Sequence, residues 1–217
     1  LAQPKVDGPR KVLVLGASTG YGLASRISSA FGCGAATIGV IFDKPASGNR
    51  TASAGWYNTA AFEKRAAASG LYAKTVNGDA FSQAVKDQVI ALIKADLGQV
   101  DFIVYSLASP RRTMADSTVY NSVLKTTGGV YTNSTIDLKD NTISTVSIDP
   151  ATPEEVEATV KVMGGEDWQD WLIALDQAGC LSDNTTTVAY SYIGPELTHP
   201  IYLNGSIGQA KKHLQAT

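Results

Sequence analysis

The chain has 217 residues, 44% hydrophobic and 18% charged; this is apolar material enough for a sizeable core, and a length about 1.4 times the ~150 residues of a typical domain. Its 18 Lys and Arg against 20 Asp and Glu leave a net charge of -2, which gives no electrostatic reason to expect nucleic acid or an anionic membrane as partner. No run approaches the ~20 apolar residues of a membrane helix, the opening residues do not read as a signal peptide, and the two cysteines and two histidines lack both disulfide-scaffold and zinc spacing, so the expectation is a cytoplasmic protein without metal, with Cys33 and Cys180 buried or free.

Lys11-Val-Leu-Val-Leu15 is an aliphatic run that ends in Gly16 and passes through a Gly-rich turn into a helical stretch over 23–31. A second strand is expected over 37–42, a helix over 58–70, and a third strand over 73–76 closed by Asn77-Gly78. Ser82 suits the N-cap of a helix running to Leu97, because Val85, Val89, Leu92 and Ile93 recur with helical period. Residues 101–106 read as another buried strand. Strands alternating with amphipathic helices predict an α/β fold, a Rossmann-type doubly wound parallel sheet, with residues 1–110 as the dinucleotide-binding core.

After Pro110 the pattern changes. Ile136 and Leu138, a Lys139-Asp140-Asn141 turn, and Val146 and Ile148 predict an inserted β-hairpin. Thr152-Pro-Glu-Glu155 fits a capping box with Pro at the first helical position, and Trp168, Trp171, Leu172 and Leu175 mark the buried face of a further helix. Residues 111–186 thus form an insertion, and residues 187–217 return to the sheet over 187–191 and begin a last helix over 206–214, all within one enlarged domain.

Gly16-Ala17-Ser18-Thr19-Gly20-Tyr21-Gly22 has the spacing G-x-x-x-G-x-G between a predicted strand and helix, where bare backbone amides can meet a pyrophosphate. The bland alternative is a tight turn with no ligand. Asp43 ends the second strand 21 positions after Gly22, where a carboxylate can accept ribose hydroxyls and repel a 2′-phosphate, so NADH is favoured over NADPH; the alternative is a solvated strand-end charge. Asp79 stands either beside the adenine or in a plain turn. Ser106-Leu-Ala-Ser-Pro110 leaves the fourth predicted strand at its carboxyl end, where such sheets bind ligands.

For the reduction step, the Tyr-x-x-x-Lys pair of short-chain dehydrogenases is missing. Tyr202 and Lys211 are nine positions apart, which on one continuous helix means ~13 Å and opposite faces. Asn204-Gly205 breaks that run. With Ser206 as N-cap, Lys211 lies in the second helical turn and Tyr202 in the preceding loop, which can bring them together; both also suit an ordinary surface.

Taken together these residues resemble the trans-2-enoyl-CoA reductase family, which includes a class of enoyl-ACP reductases. The likeness spans essentially the whole chain and is carried by 16–22, Gly55-Trp-Tyr-Asn58, Asn77-Gly-Asp-Ala-Phe81, Tyr105-Ser-Leu-Ala-Ser-Pro-Arg-Arg112, Val162-Met-Gly-Gly-Glu-Asp-Trp168 and Tyr190-Ser-Tyr-Ile-Gly-Pro-Glu-Leu197. The resemblance implies NADH-dependent reduction of the trans-2 double bond of enoyl-CoA or enoyl-ACP in fatty acid synthesis, by a monomer. It implies Tyr202 as proton donor, Lys211 as partner of the nicotinamide ribose and the enolate, and Tyr192 as a substrate contact. Cofactor contacts are implied at Gly16, Ala17, Ser18, Thr19, Gly20, Tyr21, Gly22, Phe42, Asp43, Asp79, Ala80, Leu107 and Ala108. Two departures stand out: family members carry Glu where this chain has Asp43, and they are longer at both ends, so a fragment lacking the C-terminal part of the fold is expected. Rival readings are a carbonyl reductase of the short-chain dehydrogenase type using NAD(P)H, and a non-catalytic dinucleotide sensor.

Overall fold

In a computed structural model, which describes residues 4–217, the aliphatic run forms β1 (Lys11–Leu15), with Val12, Leu13, Val14 and Leu15 all fully buried. A strand covered on both faces needs no polar alternation. The chain then runs α1 (Gly20–Ile27), a π-helical turn (Ser28–Cys33), β2 (Ala36–Ile41), α2 (Ala54–Ala68), β3 (Ala73–Asn77), α3 (Gln83–Asp96) and β4 (Val100–Tyr105). It continues through β5 (Arg111–Thr113), β6 (Val119–Asn121), β7 (Tyr131–Asp137), β8 (Thr142–Ile148), α4 (Pro153–Met163), α5 (Glu166–Gln177), β9 (Leu181–Ala189) and α6 (Ser206–Ala216).

One unit comprises residues 4–108 and Trp168–Tyr190. Its sheet has the order β3-β2-β1-β4-β9 with every pairing parallel. The order reverses between β1 and β4, and that switch point opens a ligand crevice at the carboxyl ends of the strands. Leu13, Leu15, Ile38 and Val40 meet α3 and the Trp171 and Leu175 face of α5 on one side. Val12, Val14, Ile41 and Val104 form the core of the other. Each such fully buried side chain contributes about 1.5–3 kcal/mol. Arg26 is also buried: it donates to Lys74 O (2.7 Å), Thr75 Oγ1 (2.9 Å) and Thr37 Oγ1 (3.3 Å) and lies 4.4 Å from the Phe62 ring centre. Burial pushes its guanidinium down to about 10, and Glu63 opposes the shift. Cys33 and Cys180 are free thiols, the second buried.

The other unit comprises Ser109–Asp167 and Ser191–Thr217. It holds the antiparallel pair β5-β6, the β7-β8 hairpin in which Ile136 faces Ile143, and the helices α4 and α6. Thr152 caps α4 in a reciprocal box with Glu155, with Pro at the first turn, as its sequence implies. Buried Arg112 donates to Lys161 O (2.9 Å) and lies 3.8 Å from Glu166, so the two ends of the 109–167 segment meet.

Some boundaries differ from expectation. α2 begins at Ala54, four residues before the expected start, because Ser53 is its N-cap. β9 begins at Leu181 and ends at Ala189, earlier than the 187–191 run, since the polar residues 182–187 lie on an edge strand where apolar character is not required. The N-cap of α6 is Gly205 and not Ser206; the Ser206 hydroxyl instead bonds the Val123 carbonyl.

Candidate active site

The Gly-rich turn joins β1 to α1 at the switch point. The amides of Gly16 and Ala17 both donate to Val40 O, at 3.0 and 2.9 Å, which curls the chain tightly away from the sheet. Gly16 adopts φ +85°, and a Cβ there would strike Ser106 O. A Cβ on Gly22 would strike Gly16 O in turn. Both glycines are therefore dictated by close backbone approach. Thr19 is the α1 N-cap and makes no side-chain capping bond, which leaves the first helical amides available to an anion. Asn58 Nδ2 donates to Ser18 O (3.1 Å) and ties the turn to α2. Exposed Tyr21 leans on Tyr190, ring centres 5.7 Å apart. The Ser25 hydroxyl donates to Tyr21 O, so the Tyr190 hydroxyl is the donor in its 2.6 Å bond with Ser25.

Phe42 is 79% exposed at the end of β2, and Asp43 follows it. Asp43 N donates to Asn77 Oδ1 and Asn77 Nδ2 donates to Asp43 O, both at 2.9 Å. The Asp43 carboxylate accepts from Ser53 Oγ (2.7 Å), and its Oδ2 is buried with no partner. Asp79 shapes its own loop by accepting from Phe81 N (3.0 Å). The Ala80 carbonyl accepts from Trp171 Nε1 (3.1 Å) and from buried Lys86 Nζ (3.2 Å). Leu107 lies against the core, and Ala108 is exposed.

In the other unit Tyr192 and Tyr202 meet edge to face, ring centres 5.2 Å apart. Tyr192 is exposed and Tyr202 half-buried. The Tyr202 carbonyl accepts from Gly205 N and Gly208 N, which docks the residue onto the first turn of α6. Lys211 donates to Met163 O (3.3 Å) at the end of α4, and burial lowers the pKa of its ammonium. Among the described residues no hydrogen bond joins Tyr202 to Lys211; the expected loop is there, but the lysine is held by α4. One turn further on, His213 Nδ1 accepts from Gly165 N (3.1 Å).

A dinucleotide fits the first unit: two glycines leave a bare cradle at a helix N-terminus, and just beyond β2 the Asp43 carboxylate keeps one buried oxygen without a partner. Ser53 and Asn77 also hold Asp43 in place, and neither position signals this in the sequence. A serine just before a helix reads as a cap, and Asn77 reads as a turn. Among the described residues no cluster of three His, Cys, Asp or Glu side chains could hold a metal, and no helix is long and apolar enough to cross a membrane.

Comparison with known proteins bears on both units. Residues 50–217 match the trans-2-enoyl-CoA reductase catalytic region, and residues 1–48 match the NAD(P)H binding domain of trans-2-enoyl-CoA reductase. The chain is 58% identical over 216 residues to trans-2-enoyl-CoA reductase [NADH] of Ruminiclostridium cellulolyticum, covering 99% of this chain and 55% of that one. It is 58% identical to enoyl-[acyl-carrier-protein] reductase [NADH] of Flavobacterium psychrophilum, covering 98% and 54%. The crystal structure of Clostridium acetobutulicum trans-2-enoyl-CoA reductase in complex with NADH superposes with a TM-score of 0.96 at 47% identity, covering 99% and 55%. The chain thus spans about half the length of the curated relatives it matches.

Proposed function

Given that the chain belongs to the trans-2-enoyl-CoA reductase family, we propose that it serves the NADH-dependent reduction of the trans-2 double bond of an enoyl thioester. The observation that carries this reading is the glycine cradle at the β1-α1 turn, set at the switch point of a parallel sheet and accompanied by the orphaned Asp43 oxygen. NADH, when bound, supplies the hydride. The amides at the start of α1 hold the pyrophosphate, and Asp43 accepts the ribose hydroxyls.

The remaining work falls to the other unit. Reduction places a hydride on Cβ and leaves negative charge on the thioester oxygen and Cα. A phenol at Tyr202 bonds that oxygen and supplies the proton that completes the saturated product. Lys211, whose ammonium donates to Met163 O, is assigned by the family likeness alone to the nicotinamide ribose and to the phenolate that results. Tyr192, edge-on to Tyr202, orients the thioester.

NADH oxidation in the presence of crotonyl-CoA, and none with acetoacetyl-CoA, is the expected result with the complete protein. Reduction of the ketone instead would move the reading to a carbonyl reductase. Tight NADH binding without turnover of any enoyl thioester would move it to a sensor. Parallel assays with the acyl carrier protein thioester decide the carrier.

A further inference from the structure

Ser53 occupies the N-cap of α2 with extended backbone, and serine there ordinarily accepts from an amide of the first turn. Its hydroxyl makes no such cap bond. It accepts instead from Lys44 N (3.2 Å) and lies 2.7 Å from Asp43 Oδ1 and 3.4 Å from Lys44 O. A hydroxyl has one proton, and the shorter, charge-assisted contact takes it. Ser53 N also donates to Lys44 O (3.0 Å), so the loop between β2 and α2 is closed by main chain and side chain together.

Gly55 completes the arrangement. A Cβ there would strike Asp43 Oδ1 and would lie within 2.5 Å of Oδ2, so the carboxylate occupies the space a side chain would have filled. With Asn77 gripping the Asp43 main chain on both sides, this aspartate is fixed in backbone and side chain and keeps a single unpartnered oxygen. A carboxylate free to swing would turn away from a 2′-phosphate and tolerate it. One held by Ser53 over Gly55 cannot.

We infer that Ser53 is a positioning residue for cofactor selectivity, fixing the Asp43 carboxylate just beyond β2 so that its charge favours an unsubstituted adenosine ribose and repels a 2′-phosphate. The inference rests on the dinucleotide reading of the β1-α1 turn. It predicts that selectivity between NADH and NADPH, and not affinity alone, depends on a residue that need not touch either cofactor.

The test is the pair of dissociation constants for NADH and NADPH, read from the fluorescence of the bound dihydronicotinamide in the complete protein. Ser53→Ala is expected to lower the preference for NADH by about tenfold, the scale of one charge-assisted hydrogen bond. Gly55→Ala, which leaves a good helix former in α2 while displacing the carboxylate, should lower it in the same sense. Ser53→Thr, which keeps the hydroxyl, should restore the preference. Equal weakening of both cofactors in Ser53→Ala and Gly55→Ala, or an unaltered ratio, would overturn the inference while leaving NADH binding in place. Failure of the unaltered protein to bind NADH would overturn the dinucleotide reading and the inference with it.

Discussion

Replacing Tyr202 by Phe separates chemistry from packing, because the substitution removes one oxygen and keeps the ring. The edge-to-face contact with Tyr192 at 5.2 Å survives, and with it the ~0.5–1.5 kcal/mol such a pair contributes. The Tyr202 hydroxyl takes part in none of the hydrogen bonds among the described residues, so its loss should alter folding stability by no more than about 0.5 kcal/mol. Loss of a general acid costs ~10²-fold in rate, or about 2.7 kcal/mol of barrier. The catalytic effect should therefore exceed the structural one by roughly fivefold in free energy. Pre-steady-state NADH oxidation at saturating crotonyl-CoA measures the first, and the urea midpoint measures the second. Tyr192→Phe should leave the hydride step near normal in the same assay and raise mainly KM when crotonyl-CoA is varied. A near-normal hydride step in Tyr202→Phe, or a larger loss in Tyr192→Phe, would refute the assignment and move the acid to Tyr192.

Three further outcomes are expected. Burial holds the Lys211 ammonium below the ordinary lysine value of 10.5: its desolvation penalty is present below the folded-state pKa and is relieved as pH rises through it, so kcat should begin to fall on the alkaline side below pH 10.5. Lys211→Arg should move that limb upward, and an unmoved limb would remove Lys211 from the rate-determining chemistry. Gly22→Ala places a methyl group against the Gly16 carbonyl, so NADH affinity measured by fluorescence titration should fall by about tenfold or more, whereas unaltered affinity would separate the turn from the cofactor. Arg26→Met removes the donor to Lys74 O and Thr75 Oγ1 and leaves Glu63 without the buried guanidinium that faces it; it should cost about 3 kcal/mol by urea denaturation, a loss under about 1 kcal/mol meaning that water replaces the guanidinium.

The central strands are readable because burial on both faces writes itself as apolar runs, aliphatic over residues 12–15 of β1 and apolar over residues 102–105 of β4. The caps at Ser82 and Thr152 were equally plain, since their side chains act locally and bond amides three residues on. Ser53 and Ser206 were not plain, because each hydroxyl reaches outside its helix, to Asp43 and to Val123. The same reason hid the α2 start and misplaced the α6 cap. Of the candidate site, the glycine spacing is a local constraint and visible in sequence. The meeting of Tyr192 with Tyr202 and the hold of Met163 on Lys211 are tertiary facts, to which no spacing rule points.

The bond from Arg112 to Lys161 and its approach to Glu166 bear on how the chain folds. β9 joins the parallel sheet by pairing with β4, yet the two are separated in sequence by the whole excursion through β5 to α5. Parallel pairing across so long a gap is slow, since loop-closure entropy is lost before any contact compensates. If the excursion folds first and Arg112 clasps its neck, the loop left to close shrinks from roughly 75 residues to roughly 20, lowering the closure cost by about 1 kcal/mol. Arg112→Met should then slow refolding more than it speeds unfolding, the kinetic mark of an interaction formed before the rate-limiting step.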